Sequence, residues 1–169
     1  FAKLRPGKAD AFHDRFEDFK RRLGTALVGA ELAGKYDVEK LAALADYGKL
    51  TAFLEQQGEA KALAGWMGAL APDRGTKYID DHNIWVYFAR RFDLENDGHM
   101  EPKPGLPPTT SHLQSLIERT RVDRVPLIIA SPYYDPRHAQ FVADATGAHI
   151  AYLSHLVGGR DGTDDYIAM

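Results

Sequence analysis

Apolar positions along the chain fall into two regimes. From Lys8 to Leu23 they recur as Phe12, Phe16, Phe19 and Leu23, at steps of four, three and four, with Arg15, Glu17, Asp18, Lys20 and Arg21 between them. That spacing predicts an amphipathic helix with one core-facing stripe. The glycines at 24 and 29 predict where it breaks. Asp37 predicts the cap of a second helix, Val38 to Ala45, with Leu41, Leu44 and Ala45 turned inward. A third runs from about Lys49 to Gln57 and stops at Gly58. A fourth runs from Glu59 to Leu70 and ends before Pro72. Nothing in this half alternates with a period of two.

From residue 76 the pattern changes. Short apolar runs alternate with amphipathic stretches, predicting a strand at Lys77-Tyr78-Ile79, a helix from Asn83 to Phe92 and a ragged strand within Leu94 to Met100. A proline-rich loop follows from Pro102 to Pro108. Thr109 or Thr110 then caps a helix to about Arg121, with Leu113, Leu116 and Ile117 inward. Val125 to Ala130 reads Val-Pro-Leu-Ile-Ile-Ala, a continuous apolar run that marks a strand buried on both faces. Asp135-Pro136 opens a helix to Thr146, stopped by Gly147, and Ala148 to Leu153 is a further strand. After the glycine-rich loop Gly158 to Gly162, Thr163 caps a last helical start, Asp164 to Met169.

This alternation predicts the α/β class: a small parallel four-stranded sheet flanked by helices at 76–169, preceded by a helical region at 1–75. In such sheets ligands sit outside the carboxyl ends of the strands. Loops 80–83, 131–136 and 154–164 are therefore where chemistry is expected.

Composition narrows the chemistry. The chain has 169 residues and a formal charge of −3, which argues against broad electrostatic binding to nucleic acid or anionic membrane. It contains no Cys, so disulfides, thiolate metal sites and Cys nucleophiles are excluded. No run approaches the ~18 apolar residues of a membrane span. Phe1-Ala2-Lys3-Leu4-Arg5-Pro6 shows neither a starting Met nor a basic-then-apolar leader, as expected of a mature or trimmed product.

Asp80-Asp81-His82-Asn83 follows a strand and is expected to open a helix, which places His82 at the carboxyl edge of the sheet. Partial positive charge there would favour neutral imidazole, the metal-binding form. From spacing alone, capping or bonding to a backbone carbonyl is the better reading of such a His. Thr163-Asp164-Asp165-Tyr166 offers carboxylates that could be N-caps or, beside His82, hard oxygen ligands. Zn²⁺ accepts that mixture but takes about four ligands in a closed site. Gly158-Gly159-Arg160-Asp161-Gly162 lacks the phosphate-loop pattern, and Ser111, Ser115, Ser131 and Ser154 lack a nucleophile-elbow setting. His99, His112, His138, His149 and His155 are scattered. His112 and His138 are expected on helix surfaces.

Four stretches together resemble one family. Thr76 to Phe92, reading Thr-Lys-Tyr-Ile-Asp-Asp-His-Asn-Ile-Trp-Val-Tyr-Phe-Ala-Arg-Arg-Phe, is similar to the C-terminal-lobe motif of metal-binding substrate-binding proteins of ABC transporters, the cluster A-I type. Glu101 to Thr109 resembles their proline-rich segment. Ser131-Pro132-Tyr133-Tyr134-Asp135 resembles the turn after the third strand, and Gly158 to Met169 resembles the loop and aspartate-x-tyrosine start near the end of the lobe.

The resemblance implies a metal held between two lobes joined by a long helix, with two ligands from each lobe. It puts His82 and Asp164 at the C-lobe ligand positions, Asp164 because it stands two residues before Tyr166. His rather than Glu at the first of these favours zinc over manganese or iron, in keeping with ligand softness. The expected object is a C-terminal lobe whose N-terminal lobe is absent, extracytoplasmic or periplasmic, working with an ABC permease and binding Zn²⁺ weakly by itself. A dimer of the lobe could recruit further ligands. Residues 24–75 resemble a helical insertion that covers the lobe or binds a partner. Two other readings follow from the residues: a small metal-assisted α/β hydrolase using His82, Asp81 and Asp164, and a plain interaction module.

Overall fold

The computed structural model describes residues 1–103 and 106–169. Contacts divide the chain into two compact units, Phe1–Pro72 and Asp73–Met169.

The first unit is helical. Helix α1 spans Ala9–Val28, α2 Ala30–Lys35, α3 Val38–Asp46, α4 Leu50–Gln56 and α5 Gly65–Ala69. Asp37 caps α3 as expected, accepting from the backbone N–H groups of Glu39 and Lys40 at 2.9 and 3.1 Å. The core is a cluster of Val28, Leu32, Leu41, Leu50 and Leu54, with Leu44 and Ala45 packed against it.

Three expectations fail here for identifiable reasons. Helix α1 does not stop at Gly24 but runs through it, because that glycine serves a close approach: a Cβ there would collide with Val38. The aromatic stripe is not the core. Phe16 and Phe19 are exposed, since the partner helices pack on the last turns of α1, around Val28. The expected helix from Glu59 to Leu70 is broken into a 3₁₀ turn, Ala60–Ala62, and α5. The chain bends at Ala64, whose N–H donates to Val28 O, and at Gly65, where φ is +60°.

The second unit is the expected α/β structure. Strands β1 (Lys77–Asp80), β2 (Glu95–His99), β3 (Leu127–Ala130) and β4 (His149–Tyr152) form one parallel sheet in the order β2-β1-β3-β4. Helices α6 (Val86–Phe92), α7 (Thr110–Val122) and α8 (Pro136–Thr146) connect them. Two clusters separate by the period of two. Ile79, Ile128 and Ala130 pack with α7 and α8 through Leu113, Leu116, Ile117, Ala139 and Val142. Tyr78, Leu127 and Ile129 pack with Trp85, Phe88 and Ala89. Central β3 is apolar throughout and nearly inaccessible, Ile128 0% and Ile129 1% exposed. Edge strand β2 is Glu-Asn-Asp-Gly-His, a polar edge that discourages further pairing.

Two boundaries move. Helix α6 starts at Val86 rather than Asn83. Residues 83–84 form a turn instead, in which the Ile84 N–H donates to His82 O at 2.7 Å. The last helical start is a single turn, and its cap is Asp165, which accepts from the N–H groups of Ile167 and Ala168 at 2.8 and 2.9 Å. Thr163 is buried and tied to Arg160. Within the proline-rich loop, Pro104 and Gly105 lie outside the described residues.

Candidate metal centre

The strand order reverses beside β1, which pairs with β2 on one side and β3 on the other. A crevice outside the strand ends at such a point is where open α/β sheets bind ligands. Asp81 closes the base of this one. Its Oδ2 accepts the Ser131 N–H at 2.5 Å and its Oδ1 accepts the His82 N–H at 2.8 Å. Asp81 thus stitches the end of β1 to the end of β3 and fixes the backbone of the next residue.

His82 is 6% exposed. Its Nε2–H donates to Glu101 Oε2 at 2.9 Å, just beyond the end of β2. Its ring stacks on Tyr134, with centroids 4.0 Å apart and planes 16° from parallel. Its other nitrogen, Nδ1, is buried and has no hydrogen-bond partner among the described residues. A bare buried polar atom costs about 1–3 kcal/mol. A cation on that lone pair is the partner a neutral imidazole can take. Among the described residues His82 offers one unpartnered donor atom, and no set of three metal-ligating side chains is gathered with it. The expected reason for neutrality, a helix N-terminus at His82, is wrong, because α6 begins four residues later.

Each remaining strand end adds something. Ser131 Oγ and His155 Nδ1 are 3.1 Å apart, and His155 lies edge-on to Tyr133 and Trp85. Asp80 and His99 are register partners on β1 and β2, and the His99 Nδ1–H donates to Asp80 Oδ1 at 2.5 Å. Burial pushes the Asp80 carboxyl up to about 6, against the hydrogen bonds and charge of His99 and the amide of Asn96. His112 is not a free surface residue, since its Nε2 donates to His99 O at 2.9 Å. His138 is half-buried and lines a small cavity with Asp81, Glu101 and Tyr134.

Asp164 is exposed, and no hydrogen bond or ion pair joins it to His82. Among the described residues no group of three or more His, Asp or Glu is gathered as a metal cage. Glu101 was missed as a site residue. It stands in the proline-rich segment Glu101-Pro102, where only strand pairing, not spacing, reveals that it faces His82.

The second unit is a parallel α/β lobe with a buried histidine at its switch point. The family model described as zinc-uptake complex component A, periplasmic, matches residues 49–169, and the chain belongs to that family. It is 24% identical over 98 residues to the high-affinity zinc uptake system protein ZnuA of Brucella abortus (strain 2308), covering 57% of this chain and 29% of that protein. Its fold is that of a ZnuA crystal structure (TM-score 0.57, 20% identity, 90% of this chain and 45% of that one). It is equally that of FpvC from Pseudomonas aeruginosa in complex with Mn²⁺ (TM-score 0.55, 20% identity, 91% and 45%). The chain thus spans less than half the length of these relatives.

Proposed function

We propose that this chain is the C-terminal lobe of an extracytoplasmic zinc receptor that hands its metal to an ABC permease. The observation that carries the reading is His82. It is a buried ring stacked on Tyr134, with one nitrogen on the Glu101 carboxylate and the other bare, at the switch point of the sheet. Asp164 is the second ligand in this reading, and an N-terminal lobe supplies the rest. Closure of the lobes brings the set together, and opening at the permease breaks it. The metal is cargo, so a site that is incomplete in one lobe suits release as well as capture.

Zinc is favoured over manganese or iron because imidazole is a better partner for Zn²⁺ than for Mn²⁺. The zinc named for the Brucella relative supports this, while the Mn²⁺ named for FpvC keeps manganese as the second reading. A metal-assisted hydrolase would need Asp81 to act on substrate, but both its oxygens already hold backbone N–H groups. The helical unit is proposed as an insertion and the division near residue 75 as the lobe boundary.

The test is thermal unfolding with Zn²⁺, Mn²⁺ or a chelator. Metal that binds only the folded chain raises stability by about 2.7 kcal/mol at a hundred times its dissociation constant. The expected result is a midpoint that rises with Zn²⁺, rises less with Mn²⁺ and returns with chelator. A midpoint indifferent to both metals would contradict the receptor reading.

A further inference from the structure

We propose that the turn 131–135 is a two-sided clamp that locks the ring of His82 and the loop 154–163 into one arrangement. Tyr134 holds the first and Tyr133 the second. The clamp itself needs no metal. Only its purpose rests on the proposed function, which takes His82 and Asp164, the residue after this loop, as ligands.

The turn is a fixed base. Its first residue is tied to the end of β1, because the Ser131 N–H donates to Asp81 Oδ2. Within it the Tyr134 N–H donates to Ser131 O at 3.3 Å. Its last residue, Asp135, caps α8 by accepting from the Arg137 N–H at 3.0 Å. Two aromatic side chains leave this base from adjacent positions. The Tyr134 ring lies on His82 with centroids 4.0 Å apart, and it runs within 19° of parallel to His155 at 6.4 Å. Tyr133 reaches the loop. Its ring meets that of His155 at 4.9 Å, and its hydroxyl donates to Leu156 O at 3.5 Å. Leu156 O also accepts from Ser154 Oγ at 2.7 Å and from the Gly159 N–H at 3.2 Å. Gly159 shows how close the fit is, since a Cβ there would collide with the hydroxyls of Tyr133 and Ser154. Ser131 Oγ adds a further hold, 3.1 Å from His155 Nδ1. At the far end of the loop the Gly158 N–H donates to Thr163 O at 2.7 Å, beside Asp164. Side chains that share contacts in this way respond together, so a push on the loop reaches His82 through the turn.

The experiment perturbs the loop and reads His82. Gly159→Ala pushes on the Tyr133 hydroxyl, and Tyr133→Phe only removes it. Both are made in the full chain and studied without metal. Amide hydrogen exchange at Gly158 and Gly159 reads the loop, and the ring resonances of ¹⁵N-histidine protein read His82 and His155. Exchange at Gly159 should quicken about 2- to 10-fold in Tyr133→Phe, the loss of one ordinary hydrogen bond. Exchange at Gly158 should quicken further in Gly159→Ala, with the His82 and His155 rings shifting together. Should Gly159→Ala fail to fold, the two rings in Tyr133→Phe decide. Loop amides unchanged in both variants overturn the clamp, as does a loosened loop with the His82 ring unmoved. Competition with a chromophoric chelator reads zinc binding separately. A clamped chain that binds no zinc supports the clamp and overturns the receptor reading. A chain that binds zinc while the two rings shift independently overturns the clamp alone.

Discussion

The helical unit and the α/β unit bury different kinds of side chain. Among the described residues, the buried side chains of the first are Val28, Leu32, Leu41, Leu50 and Leu54, all apolar. Every buried polar or charged side chain belongs to the second: Asp80, Asp81, His82, Thr120, Ser131, Ser154 and Thr163. Burying such groups is costly unless they are paired, and the cost is tolerated where a particular geometry is needed. Four of the seven, Asp80, Asp81, His82 and Ser131, stand at the carboxyl ends of the two central strands. The first unit needs only shape and apolar volume. The second holds a polar network in register at one edge of its sheet.

Isosteric changes break this comparison most sharply. Asp81→Asn keeps shape but turns an amide donor toward one of two backbone N–H groups that now share a carboxylate. It should destabilise the chain by about 3 kcal/mol in denaturant unfolding, from lost charge-assisted bonds and an unpaired buried donor. A loss near zero would mean that water satisfies this edge and that the network is incidental.

Asp80 sharpens the same point through pH. Its carboxyl is raised from 3.8 to about 6, chiefly by burial. A raised carboxyl contributes stability that is fully present below pH 3.8 and is lost as pH rises through about 6. Asp80→Asn cannot ionise. The stability difference between variant and native chain should therefore move in the variant's favour by about 2.5 kcal/mol from pH 4 to pH 7. A difference independent of pH would show Asp80 ionised throughout, paired with a charged His99.

The smallest effect belongs to the helical unit. Leu41→Met, at a fully buried position, conserves volume and should cost less than about 1.5 kcal/mol. A loss as large as that of Asp81→Asn would erase the contrast between the units.

Much of the fold is legible in the sequence because it rests on local signals. The apolar run into Ile128 and Ile129, the cap at Asp37 and the stop at Gly147 each act within a few residues. What escapes depends on partners distant in sequence. Gly24 looks like a helix stop until Val38 lies against it. Phe16 and Phe19 have the spacing of a core stripe, but periodicity does not say where a partner packs. The site divides in the same way. His82 follows from a motif after a strand. Glu101 and Tyr134 join it only because β2 and β3 flank β1, which no single stretch of residues specifies.

His82 is the group proposed to bind metal in this lobe. Zinc titrated into the ¹⁵N-histidine-labelled chain tests it most directly, because the chain's 7 histidines report separately. The ring resonances of His82 should move first and furthest, and His82→Ala should abolish most of the binding. A His82 that stays unmoved while zinc binds elsewhere, with affinity unchanged in His82→Ala, would contradict the account.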